Sequence, residues 1–249
     1  MKIRSGMWAL IAALALMCTQ GGGAKPVESD PRKISGVPRS FALLGDSRMF
    51  DMQFMNYGSY SNYLKADPKK FPLFASTSFT FADDNPATSQ SVPGSDYYNS
   101  IANDAMRAWR NFPYVLANNH DGVIICLGTN STGMPEDTIA HFKKICAMAK
   151  EKNLFVVLLT LYPWKRYETW SPYYQAGTDT INNWMRSMPE NVDVVVDTYA
   201  LLGDPADPAA LRTEYTGDGA HLMPLAHEVI AAEVNRVLAE YFSAKSARR

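Results

Sequence analysis

Cysteine is scarce in this chain: three in 249 residues, at positions 18, 126 and 146. That argues against a disulfide-stapled scaffold and against a cysteine-based zinc framework. The four histidines stand at positions 120, 141, 221 and 227, without metal-ligand spacing to one another or to an acid, so no metal is expected. An excess of one charge is also missing. Lys and Arg number 24 against 25 Asp and Glu, for a formal net charge of −1. No basic stripe interrupts that balance, so nucleic acid is not an expected partner. After residue 24 no apolar run is long enough to cross a bilayer. Internal repeats and a linker that would split the chain are absent as well.

The first 24 residues read as a segment apart. Lys2 and Arg4 make a positive start, Trp8 to Cys18 is apolar, and Gly21-Gly22-Gly23-Ala24 supplies small residues for cleavage. This is the pattern of a secretory signal peptide at 1–24, and it predicts a secreted or periplasmic protein with no membrane span after cleavage. A lipid anchor on Cys18 fits less well, because Leu16-Met17 is bulky where such sites prefer small residues. Residues 25–38 read as a flexible lead-in, 39–249 as one domain, and 243–249 as a frayed tail.

Within 39–249, short apolar runs alternate with amphipathic stretches. Candidate strands are 41–44, 78–81, 122–127, 154–161 and 192–196. The last three carry apolar residues in succession, as strands buried on both faces do. Candidate helices are 96–111, 135–152, 178–188 and 224–242. Pro135-Glu136-Asp137 opens the second as helix starts prefer, and 224–242 carries a wide apolar stripe. The alternation predicts a three-layer α/β domain with a parallel sheet. Cys126 falls in a buried run and Cys146 on the helix after it, so two buried free thiols are expected ahead of a bridge.

Two short motifs carry chemistry. Gly45-Asp46-Ser47 follows the first strand, where an open α/β sheet places its reactive groups. Asp218-Gly219-Ala220-His221 lies near the other end of the chain, ahead of the last helix. Serine, histidine and aspartate are the parts of a nucleophilic acyl-transfer site, brought together by folding rather than by sequence. Taken singly, each has a plainer reading: Ser47 as a helix cap, Asp218 as a turn residue, His221 as loop packing. His120, His141 and His227 keep such plain readings.

With Gly128-Thr129-Asn130 after the middle strand, these motifs resemble the SGNH/GDSL hydrolase superfamily in order and spacing across residues 40–242. The resemblance implies a flavodoxin-like fold with a five-stranded parallel sheet and a serine esterase needing no cofactor. It implies Ser47 as nucleophile, His221 as base and Asp218 as its orienting partner. It also implies an oxyanion hole from the Ser47 backbone, the Asn130 amide and a glycine. Relatives place that glycine soon after the second strand; here 79–85 holds none, and Gly94 is the first available.

The stretch Tyr162 to Tyr174 follows the fourth strand and is rich in Tyr and Trp. Loops at that end border the site, so Trp164 and Tyr167 are expected substrate contacts, beside the plainer reading of a packed aromatic cluster. Export and aromatic rings together predict a small-molecule or polysaccharide ester substrate, with deacetylation of an acylated carbohydrate preferred. An O-acyltransferase with the same triad, or a non-catalytic carbohydrate-binding protein on a degenerate scaffold, stand as alternatives.

Overall fold

The computed structural model describes residues 37–46, 78–83 and 104–248. The expectations for the signal peptide, for residues 25–36 of the lead-in, and for Ser47 and Gly94 lie outside the described residues. Five parallel strands are β1 (Ser40–Gly45), β2 (Ser78–Asp83), β3 (Gly122–Cys126), β4 (Phe155–Leu159) and β5 (Val194–Val196). They lie in the order β2-β1-β3-β4-β5. This is the doubly wound, flavodoxin-like order, in which the chain reverses its direction of winding between β1 and β3.

Successive side chains of a strand point to opposite faces, and the apolar runs fill both. Phe41, Leu43, Ile124, Cys126, Val157 and Leu159 pack on one face, against Ala226, Ile230, Val234, Leu238 and Phe242 of helix α5 (Pro224–Ala247). Ala42, Leu44, Val123, Ile125, Val156 and Leu158 pack on the other. There they meet α1 (Asp104–Ala117), α2 (Pro135–Glu151) and α3 (Pro172–Arg186). Among the described residues, Cys126 and Cys146 are buried and form no disulfide. Cys126 belongs to the α5 side and Cys146 to the α1–α3 side, so the sheet itself stands between them. Burial pushes the Cys146 thiol up to about 12.

Several boundaries differ from the sequence expectation. Helix α3 begins at Pro172 rather than at 178, because Ser171 caps it through the Tyr174 N–H at 3.5 Å and Pro172 takes its first turn. Helix α5 runs through Ala247, so most of the expected frayed tail is helical. Val37 packs on the core and Pro38 is buried, so the expected lead-in ends before them. A short helix α4 (Thr198–Leu202) and an antiparallel hairpin, β6 (Gly203–Asp204) with β7 (Asp207–Leu211), have no counterpart in the apolar pattern. Among the described residues no helix is long and apolar enough to cross a membrane.

Candidate active site

The carboxyl ends of β1 and β3 meet where the winding reverses, which is where such sheets bind ligands. Asp46, one residue past β1 and 2% exposed, ties the two ends together. Its N–H donates to the Cys126 carbonyl at 3.3 Å, and its carboxylate accepts from the Thr129 N–H at 3.4 Å. The chain beyond β1 leads to Ser47. The chain beyond β3 turns through a short 3-10 helix, Thr129–Ser131, which carries Asn130 at the surface.

Contacts from three helices hold the Asn130 turn. The buried Ser131 hydroxyl accepts from the Ala105 N–H in the first turn of α1 at 3.3 Å. Thr138 of α2 donates its hydroxyl to the Ser131 carbonyl at 3.0 Å. Helix α3 closes the turn from outside. Gly177 lies so near the Thr132 backbone that a Cβ there would stand 1.8 Å from the Thr132 oxygen. The Tyr173 hydroxyl donates to the Gly133 carbonyl at 2.7 Å. Ser131 and Gly177 hold this turn through contacts that no local motif announces.

Asp218 and His221 stand on a loop closed at its base by a Thr216–Leu222 bridge and by the Met223 N–H to the Tyr215 carbonyl at 2.8 Å. Tyr215, Ala220 and Leu222 are buried, which leaves the two polar side chains facing outward. One Asp218 oxygen accepts from the backbone N–H groups of Ala220 and His221, both at 2.8 Å. The other lies 2.5 Å from His221 Nδ1. A carboxylate only accepts, so this contact places the proton on Nδ1 and makes Nε2 the basic nitrogen. Partial burial pushes the Asp218 carboxyl up, but those backbone N–H groups and the imidazole outweigh it and hold it well below the usual carboxylate range. The geometry therefore supplies an oriented base next to a permanent negative charge.

The aromatic stretch after β4 borders this loop. Asn182 of α3, itself buried, pairs with Leu161 in both directions, accepting from its N–H at 2.7 Å and donating to its carbonyl at 3.1 Å. The hairpin then grips the next residues. The N–H groups of Trp164 and Lys165 both donate to the Ala209 carbonyl, at 3.0 and 2.9 Å. Lys165 pairs with Asp207 at 2.7 Å. The Arg166 guanidinium bonds the Leu211 carbonyl and pairs with Asp204 at 2.5 Å.

Trp164 and Tyr167 separate in role. Trp164 is 5% exposed and donates its indole N–H to Thr178 at 3.1 Å. Trp164 thus packs against α3, which favours the plainer reading of a packed aromatic cluster for this ring. Tyr167 is half-buried, and its ring meets the His221 ring at 5.9 Å between centroids and 83° between planes. The other histidines lie elsewhere. His227 is fully buried in α5, and burial pushes it down to about 3. His141 packs on Trp109 and hydrogen-bonds the Asp137 carbonyl at 2.7 Å.

Solved structures share the architecture. A GDSL-like lipase from Bacteroides thetaiotaomicron matches with a TM-score of 0.57 at 14% identity, over 81% of this chain and 88% of its own. An esterase from Pseudoalteromonas, solved inhibited by monoethylphosphonate, matches at 0.56 and 13% identity, over 82% and 99%. An acetyl xylan esterase matches at 0.51 and 16% identity, over 78% and 97%. No family model and no curated protein matches the sequence. At these identities the likeness is one of fold, and this chain has the three-layer α/β fold of that GDSL-like lipase and those two esterases.

Proposed function

We propose that this chain is a serine ester hydrolase of the SGNH/GDSL type, with Ser47, His221 and Asp218 as its triad. The observation that carries the reading is the 2.5 Å contact between Asp218 and His221 Nδ1, on a loop that ties both residues to the same backbone turn. The fold shared with esterases and a lipase supports it. So does the tie at Asp46, which links the start of the Ser47 segment to the Asn130 turn.

In this reading His221 Nε2 takes the proton of the Ser47 hydroxyl as its oxygen attacks the ester carbonyl carbon. The oxyanion is held by the Ser47 and Gly94 N–H groups and by the Asn130 side-chain amide. The tetrahedral intermediate collapses, the ester C–O bond breaks, and His221 returns the proton to the leaving alcohol. Water, activated by the same imidazole, then cleaves the acyl-enzyme and frees the acid.

Residues 1–24 send the protein across a membrane, and the substrate is an acylated carbohydrate that loses its acetyl groups. Tyr167 borders the reacting ester as the ring beside His221. An acetyl xylan esterase with the same fold supports that substrate class. The test is hydrolysis of 4-nitrophenyl acetate and butyrate by the full chain beside Ser47→Ala. Turnover lost in the variant supports the reading. A folded wild type that hydrolyses neither ester, yet binds an acetylated oligosaccharide, sinks it in favour of a binding protein. Acyl transfer to an added sugar outrunning hydrolysis turns it to a transferase.

A further inference from the structure

The loop that carries His221 and the loop that carries Tyr167 are joined at two places. The first joint is the β6–β7 hairpin. Its second strand leads through a short 3-10 helix, Thr213–Tyr215, to the loop of Asp218 and His221, and the same strand holds Trp164, Lys165 and Arg166 through Ala209, Asp207 and Leu211. The second joint is at Gly219. Its φ is +94°, and the position a Cβ would take lies 2.4 Å from the Arg166 carbonyl carbon and 2.7 Å from the Tyr167 nitrogen. The backbone between the two catalytic candidates therefore rests on the Arg166–Tyr167 peptide.

Between these joints the two rings meet edge to face, at 5.9 Å and 83°. That arrangement is a favoured one for aromatic pairs. The Tyr167 backbone is held by its own turn, its N–H donating to the Trp164 carbonyl at 2.9 Å. His221 is about a third exposed, so its ring needs lateral support to remain on Asp218.

We propose that Tyr167 is a positioning residue for the His221 imidazole, its ring blocking the rotation that would break the Nδ1 contact with Asp218. The two-point joint keeps the distance between the rings constant. The inference rests on the reading of His221 as general base. It predicts that the aromatic ring matters and the phenol oxygen does not. It also predicts that the effect falls on the chemical step rather than on binding of a small ester.

The experiment uses the full chain as wild type, Tyr167→Phe, Tyr167→Leu and Tyr167→Met. Two readouts are taken: steady-state hydrolysis of 4-nitrophenyl acetate, and the downfield proton resonance of an imidazole–carboxylate hydrogen bond, assigned by its loss in Asp218→Ala. Tyr167→Phe should keep kcat within about twofold and keep the resonance. Tyr167→Leu and Tyr167→Met should lose about tenfold in kcat with KM within about twofold, at an unchanged melting temperature, and should broaden or lose the resonance. A full kcat in a folded Leu or Met variant overturns the proposal. So does a loss confined to KM, which would make Tyr167 a substrate contact alone. A wild type without any esterase activity refutes the proposed function instead. The resonance then decides the ring contact by itself: its survival in Leu and Met overturns the inference, and its loss supports it.

Discussion

Replacing Gly219 by alanine puts a methyl group where a neighbouring backbone already stands. The new Cβ would lie 2.4 Å from the Arg166 carbonyl carbon, 2.6 Å from its oxygen and 2.7 Å from the Tyr167 nitrogen. Ordinary contact needs roughly 3.4 Å or more, so one loop must retreat by about 1 Å. Neither is free to do so cheaply. The Arg166 side is bonded to the hairpin, and the Gly219 side is closed by the Thr216–Leu222 bridge. In addition, φ at Gly219 is +94°, a conformation that costs a residue with a Cβ about 1–2 kcal/mol. Misplacement of a catalytic group by about 1 Å is worth on the order of 100-fold in rate. Gly219→Ala should therefore lose about 100-fold in kcat/KM on 4-nitrophenyl acetate. Its melting temperature should fall by about 2–4 °C for each kcal/mol lost. Gly217, two residues earlier, is the control: nothing lies within 4 Å of its Cβ position, and its φ is not left-handed. Gly217→Ala should keep stability within about 0.5 kcal/mol and keep its activity. Equal behaviour of the two variants would refute the reasoning, because composition and sequence neighbourhood are nearly the same and only the tertiary contact differs.

Three further outcomes follow from the same geometry. Asp218→Asn should leave the fold intact and lower kcat by about 10³- to 10⁴-fold, since the amide no longer holds the imidazole in the basic tautomer; a loss under tenfold would exclude the triad. Gly177→Ala drives a methyl group into the Thr132 carbonyl, 1.8 Å away, and should unfold or strongly destabilise the protein in urea titration. A stable variant would mean that α3 does not press on the Asn130 turn. His227 has a pH signature: the unfolded chain binds a proton near 6.5, and burial delays that in the folded protein to about 3. The unfolded state thus binds more protons between those values, and stability falls as pH drops, by about 2 kcal/mol from pH 7.5 to 5. His227→Leu should show a shallower decline over that range by urea titration, whatever its own stability at pH 7.5; equal slopes would sink the assignment.

How much of this was legible beforehand varies with the physics involved. The strands in β3 and β4 announce themselves, because burial on both faces demands an unbroken apolar run such as Val123-Ile124-Ile125. Helix α5 does so through its stripe, and the Asp218–His221 pair through a local turn whose bonds all fall within three residues. The β6–β7 hairpin was not legible. Asp207-Pro208-Ala209-Ala210-Leu211 has little strand character, and its strand state rests on pairing with 203–204 and on the loop it clamps. The burial of Trp164 was not legible, because composition reports that a ring is present but not which way it faces. Its partner Thr178 lies on a helix that the pattern started too late.

The sequence by itself determined the alternation of strand and helix, the two-faced burial of the sheet, and the chemistry available at its ends. These depend on periodicity and on bonds between near neighbours. The tertiary structure decided the 2-1-3-4-5 strand order, the separation of Cys126 from Cys146 by the sheet, and the burial of Trp164. It alone set Tyr167 against His221 and Gly219 against Arg166. Contacts between segments some fifty residues apart depend on how whole layers pack, and no local pattern encodes that.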